Sequence, residues 1–242
     1  MRTYAYMSAS NTYDSGHLHS PLTEHIVYLY SSGGMGIMQN KVLRWAKDNI
    51  SAVILVLIFI PVFIWSQSDA NAVNIIGTTS MEYLNNEFYR WFSCIFYHYG
   101  YDHIIFNSIA LICIGSLIHP FTGKLRTFLI FILCGALAEI PFSIIVNYGE
   151  ANYGGGSSGG IYGLIAVFLL CMLRTGIEKK LKWYRPDLLF TILFFILAND
   201  NKSSFLTHAF GFTAGIITGT ILILTGLIKS DGNKSYKGAL SS

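Results

Sequence analysis

Residues 152–164 read Asn-Tyr-Gly-Gly-Gly-Ser-Ser-Gly-Gly-Ile-Tyr-Gly-Leu. The glycine run turns directly into an apolar segment, so Ser157 and Ser158 stand at the mouth of a helix expected to lie in a membrane. Glycine removes side-chain bulk and permits backbone conformations that other residues avoid. A helix start adds unpaired N–H groups and positive dipole character, which favour an anion. That setting suits a nucleophile. The same composition also makes an ordinary linker, so the case for chemistry rests on the remainder of the chain.

The chain of 242 residues is 52% hydrophobic and 12% charged, with a mean hydropathy of +0.49. A soluble domain carries roughly 25% charged residues; half that share, with long apolar runs, implies a polytopic membrane protein. The length suits one membrane domain of about six spans with a short polar extension. A net charge of +3 is too small to point to nucleic acid. Cys113, Cys134 and Cys171 lie in apolar runs and Cys94 in an aromatic-rich stretch. None has the paired spacing of a zinc site or a disulfide framework. No apolar stretch directly follows Arg2, so no cleavable signal is expected.

Residues 1–36 are polar and read as a loose extension, with His17, His19 and His25 as solvated side chains. Over 37–49, Met38, Val42 and Trp45 recur at helical spacing beside Lys41, Arg44 and Lys47, which predicts a short interfacial helix. Spans are expected at 50–65, 103–118, 125–147, 157–173, 188–198 and 205–228, with Pro61 in the first. The fifth is short, since a full crossing takes about 20 residues. Between the first two spans, Thr79-Ser80-Met81-Glu82 resembles a capping box. Met81, Leu84, Phe88, Trp91 and Ile95 follow as a stripe of helical period, predicting a helix in the membrane surface. Placing both termini inside leaves only Arg90 and Lys202 outside among sixteen basic residues. The positive-inside rule favours that orientation and requires the short fifth segment to cross.

In this topology the first turns of spans two, four and six all begin at the outer face. They carry His103 and Asn107, then Ser157 and Ser158, then His208. Ionisable residues inside a bilayer are costly and face a cavity or one another, and a serine with a histidine at similar depth can pair as nucleophile and base. Gly155, Gly159 and Gly163 are spaced by four, as are Gly211, Gly215 and Gly219, so each set predicts a smooth face that lets two backbones approach closely. That approach would bring His208 within reach of Ser158, with Tyr162 one turn below to stack on the imidazole. Helix packing without chemistry explains the glycines but not the serine, tyrosine and histidine.

At these residues the chain resembles the rhomboid intramembrane serine proteases. Gly156-Ser157-Ser158-Gly159 matches the family's Gly-x-Ser-Gly, and His208-Ala-Phe-Gly211-Phe-Thr-Ala-Gly215 its His-x-x-Gly-x-x-x-Gly. His103-Ile-Ile-Phe-Asn107 matches its His-x-x-x-Asn, and Tyr162 falls at its tyrosine beneath the histidine. Arg90-Trp91 with His98 is similar to the first-loop Trp-Arg signature, although here the tryptophan follows the arginine. The resemblance implies an all-α, six-helix polytopic bundle with a helical first loop in the membrane, at 50–228. A polar cytoplasmic extension over 1–49 would precede it and a cytoplasmic tail over 229–242 would follow. It implies a serine endopeptidase that cleaves transmembrane substrates near the outer face. Ser158 would be the nucleophile and His208 the base; His103, Asn107 and the Ser158 N–H would form the oxyanion hole. Tyr162, Gly156, Gly159, Gly211 and Gly215 would support them, with no cofactor or metal. The partners are the lipid bilayer and membrane-spanning substrates, in a membrane that would be the bacterial cytoplasmic one.

Competing readings are a soluble nucleophile elbow, which needs a preceding strand; a metal site from His98, His103 and His208, which lacks an evident carboxylate support; a transporter using Glu139; and a silent rhomboid relative that binds membrane helices without cutting. Asp200, eight residues before His208, is a candidate orienter of the histidine.

Overall fold

A computed structural model describes residues 34–145, 154–176, 181–199 and 202–228. The expectations for the histidines of the extension, for Asp200 and for the carboxy-terminal tail fall outside these residues. The chain divides into two units, Met1–Leu43 and Arg44–Ser242, and the second is the subject below. The helices, in chain order, are α1 (Gly34–Asp48), α2 (Ile50–Ser68), α3 (Ala72–Ile76), α4 (Arg90–Ser93), α5 (Tyr101–Thr122), α6 (Lys124–Ile145), α7 (Ser158–Thr175), α8 (Pro186–Leu197) and α9 (Lys202–Leu224). Among the described residues there is no strand, only one isolated bridge between Thr78 and Gly154. The chain is an all-α, polytopic bundle.

Among the described residues five helices are long and apolar enough to cross a membrane, and α8 is a shorter apolar helix. At 1.5 Å per residue α8 reaches about 18 Å, against a hydrocarbon core of about 30 Å. The outward faces are apolar, as a bilayer solvent demands: Leu57 and Ile64 on α2, Leu129 on α6, Ile196 on α8 and Ile217 on α9 are all exposed. Inside, Phe59, Phe131, Leu111, Ile114, Leu117, Ile118 and Leu164 are fully buried. The α5–α6 corner turns on Gly123 at φ +75°, and Ser51 clamps it by donating to the Lys124 carbonyl at 2.5 Å. Pro186 starts α8. Asp187 fixes that end to α5, accepting from Ser116 at 2.7 Å and from Arg185 at 2.6 and 3.0 Å.

The most extensive helix contact is between α7 and α9, and it is made by glycines. A Cβ on Gly211 would strike the backbone of Gly159, and one on Gly215 would lie 2.8 Å from the Gly163 Cα. Gly219 meets mainly the side-chain tip of Leu170. Gly155 is a correction to the expected four-residue stripe. It precedes the helix, and the atoms crowding its Cβ position belong to Cys94 and Tyr97 rather than to α9.

The first loop also departs from expectation. The stripe from Met81 to Ile95 does not form one surface helix, and turns rather than a helix follow Thr79-Ser80-Met81-Glu82. Asn85 and Asn86 adopt left-handed backbone angles, φ 50° and 63°, a conformation asparagine tolerates better than most residues and a right-handed helix cannot include. Helix resumes only at α4, followed by a 3₁₀ turn over Cys94–Phe96. The loop is stapled to α6 instead, through Thr78 to Ser143 (3.1 Å) and Trp91 Nε1 to Ser143 (3.3 Å). Arg90 is buried, pairs with Glu87 and reaches the Gly77 carbonyl.

The same loop grips the start of α7. Thr78 and Gly154 exchange backbone hydrogen bonds, Gly155 N–H donates to Tyr99 Oη at 3.0 Å, and Gly156 N–H donates to the Cys94 carbonyl at 2.9 Å. His98 Nδ1 lies 3.2 Å from the Phe96 carbonyl and its Nε2 lies 3.2 Å from Ser157 Oγ. A carbonyl only accepts, so Nδ1 carries the proton and Ser157 donates to Nε2. Burial, with His103 nearby, holds the His98 pKa down at about 3, so this imidazole is neutral.

Two stability measurements follow. Gly211→Ala forces a methyl against backbone and is expected to cost about 1–3 kcal/mol, a clear drop in melting temperature in detergent. Gly219→Ala, which meets a mobile side-chain tip, is expected to lower it much less. For His98, an unfolded histidine binds a proton below about pH 6.5, while the native one stays neutral down to about 3. The unfolded state therefore binds more protons in that window, and stability falls as pH falls from 6.5 towards 3. The slope of melting temperature against pH between about 6.5 and 4 should be shallower in His98→Gln.

Candidate active site

Three helix starts and the first loop meet at one end of the bundle around a cavity of about 630 Å³. Ser158, His208, His103, Asn107 and Gly156 all line it, so the residues expected to act together are in one place. Ser158 is the first residue of α7 and is partly accessible, whereas Ser157 is completely buried. The hydroxyl of Ser157 is spent on His98. Of the two adjacent serines, only Ser158 presents its hydroxyl to the cavity.

The imidazole of His208 lies flat on the ring of Tyr162, with centroids 4.2 Å apart and planes within 5°. The glycine contact between α7 and α9 makes this possible, because His208 sits three residues before Gly211 and Tyr162 three after Gly159. His208 is buried, and its Nδ1 lies 2.8 Å from Asn199 Oδ1. Asn199 follows the end of α8. Its Nδ2 also donates to Tyr162 Oη (2.9 Å) and to the Phe195 carbonyl (3.0 Å), while Tyr162 O–H donates to that same carbonyl at 2.7 Å. In the sequence the candidate orienter of the histidine is Asp200, the next residue along. An uncharged amide carries no signal in sequence, and only the end of α8 folding over Tyr162 reveals it.

On the opposite wall, His103 stacks on Tyr99 at 5.3 Å and meets His98 edge-on at 5.0 Å. The Tyr99 N–H points at His103 Nδ1, which leaves the ring proton on Nε2. Gly156 adopts φ +147°, and the space where its Cβ would stand is 2.9 Å from His103 Nε2 and 4.0 Å from Ser158 Oγ. A side chain there would fill the gap between hydroxyl and imidazole. Asn107 is buried and donates one Nδ2 hydrogen to the His103 carbonyl at 2.8 Å, and its Oδ1 has no hydrogen-bond partner among the described residues. Asn107 lines the cavity, and its amide nitrogen carries a second hydrogen that can donate.

The remaining wall is apolar, built by Phe190, Leu193, Phe194 and Leu197 of α8 with Phe106 and Phe142. Glu139, the residue the transporter reading would use, is buried and also lines the cavity. Among the described residues no three His, Cys, Asp or Glu gather in a way that could hold a metal ion. The arrangement offers a hydroxyl, a histidine, two side-chain donors and an apolar wall.

The Rhomboid domain matches residues 85–225, more than half of the chain. RHOMBOID-like protein 1 and RHOMBOID-like protein 5 of Arabidopsis thaliana are 27% and 28% identical to it, over 60% and 57% of this chain and 37% and 45% of their own. Rhomboid-type serine protease 2 of Emericella nidulans is 25% identical over 55% of this chain and 27% of its own length. The chain thus spans less than half the length of each of these relatives. With its multi-pass apolar helices, the chain belongs to the rhomboid family of integral membrane proteins.

Proposed function

We propose that this protein is an intramembrane serine endopeptidase that cleaves transmembrane helices, with Ser158 as nucleophile and His208 as general base. The observation that carries this reading is the division of labour between the two serines. Ser157 is buried and bound to His98, while Ser158 faces a cavity that it shares with a stacked, hydrogen-bonded histidine.

The chemistry follows from the groups in place. His208 Nε2 takes the Ser158 hydroxyl proton as Oγ attacks the scissile carbonyl carbon. The carbonyl π electrons move to oxygen, and that oxyanion is met by His103 Nε2–H, an Asn107 amide hydrogen and the Ser158 N–H. The Ser158 N–H suits this role because the first N–H groups of a helix have no partner within it. On collapse the C–N bond breaks, the amine leaves with the proton from imidazolium, and water then hydrolyses the serine ester by the same route. The apolar α8 wall complements an apolar substrate segment. With six crossings, fourteen of the sixteen basic residues in the sequence would fall on the side of the termini, which supports an orientation with both termini cytoplasmic. The site then lies towards the outer leaflet of what we take to be a bacterial cytoplasmic membrane, where water can reach the acyl-enzyme. Residues 50–228 would form the protease domain, the residues before it a cytoplasmic extension and those after it a cytoplasmic tail.

Reconstituted in liposomes with a transmembrane reporter, Ser158→Ala and His208→Ala should each lower cleavage by on the order of 10⁴-fold or more while the protein stays folded. Ser157→Ala should keep substantial activity. Asn107→Ala and His103→Ala should each lose about 10²–10³-fold, the usual cost of one oxyanion donor. Undiminished cleavage in the Ser158 variant would contradict the assignment. A folded parent that binds reporter helices without cutting them would mark a silent relative.

A further inference from the structure

We infer that Asn199 is a positioning residue for His208, a third member behind the Ser158–His208 pair; the inference rests on that pair being catalytic. The hydrogen-bond network leaves one assignment of its atoms. The Phe195 carbonyl can only accept, so the group of Asn199 that lies 3.0 Å from it is the amide nitrogen. The other end of the amide, 2.8 Å from His208 Nδ1, is therefore the carbonyl oxygen. An amide oxygen accepts and never donates, so Nδ1 carries the imidazole proton. In the neutral ring this makes Nε2 the basic nitrogen, the one needed to take a proton from serine.

Two constraints then act on one ring. Tyr162, parallel and 4.2 Å away, fixes the plane of the imidazole but permits rotation within that plane and says nothing about which nitrogen is protonated. Asn199 fixes the rotation and the tautomer. An amide does this without placing a charge in a half-buried, membrane-embedded setting, where an unpaired carboxylate would be costly. Asn199 lies just beyond α8, so the helix that walls the cavity also supplies this contact. The basic nitrogen is thereby coupled to the position of that helix.

The test compares Asn199→Ala and Asn199→Asp with the parent and with Ser158→Ala. The readouts are the rate of fluorophosphonate labelling, kcat and KM for a membrane-helix reporter, and the melting temperature. Asn199→Asp keeps an acceptor facing Nδ1 but loses the amide hydrogens that bind Tyr162 and Phe195. If positioning is the role, Asn199→Ala lowers kcat and labelling by roughly tenfold or more, out of the 10²–10⁴ that a positioned base supplies, with KM little changed. Asn199→Asp then recovers most of the rate. An alanine variant within twofold of the parent, or an aspartate variant as slow as the alanine one, would overturn the inference. Independently of any variant, nitrogen NMR of the histidine-labelled parent should show His208 as the Nδ1–H tautomer, and an Nε2–H tautomer would equally overturn it. A parent that neither cuts nor labels would sink the catalytic pair instead, leaving the NMR result to judge Asn199.

Discussion

Everything at the candidate site depends on two helix backbones touching. Gly211 and Gly215 of α9 lie against the backbone of Gly159 and Gly163 of α7 with no room for a side chain, while the Cβ positions of Gly159 and Gly163 meet Ala138 and Cys134 of α6. In a bilayer the lipid tails are as apolar as leucine, so helices associate through close packing rather than through expulsion of water. The glycines supply that packing and, in doing so, set a distance. They bring His208 onto the ring of Tyr162 and place its helix start beside that of Ser158. A methyl group at the crossing would separate the helices and, with them, the histidine from its neighbours.

A second constraint comes from the first loop, which decides what the two serines can do. By binding the backbone of 154–156 and the hydroxyl of Ser157, the loop turns Ser157 inward and leaves Ser158 at the rim. Neutral His98 acts as an acceptor here, which a protonated ring could not do. The loop is structural in this account, and its chemistry serves the site only by holding the glycine turn. The short α8 completes the enclosure, fixed to α5 at one end by Asp187 and tied at the other by Asn199 to Tyr162 and His208.

Much of this was legible in the sequence because membrane constraints are strict. Apolar run length gave the five long helices and the short apolar α8, and the glycine spacing gave the α7–α9 contact. The motifs at Ser158, His208, His103 and Asn107 sit on helix starts that the cavity brings together. Three things were not legible, for physical reasons. The stripe from Met81 to Ile95 has helical period, yet left-handed Asn85 and Asn86 break it, and the loop's hydrogen bonds to α6 outweigh the local preference. Gly155 continues a four-residue spacing but lies outside the helix, because α7 begins only at Ser158. Asn199 has no motif, since its role exists only once the end of α8 reaches His208.

The most direct test of the account is to react the intact protein in liposomes with a fluorophosphonate and locate the adduct by peptide fragmentation. The account predicts a single modified residue, Ser158, with Ser157 unmodified in the same peptide. An adduct on Ser157, or a folded protein that takes up no label at all, would contradict it.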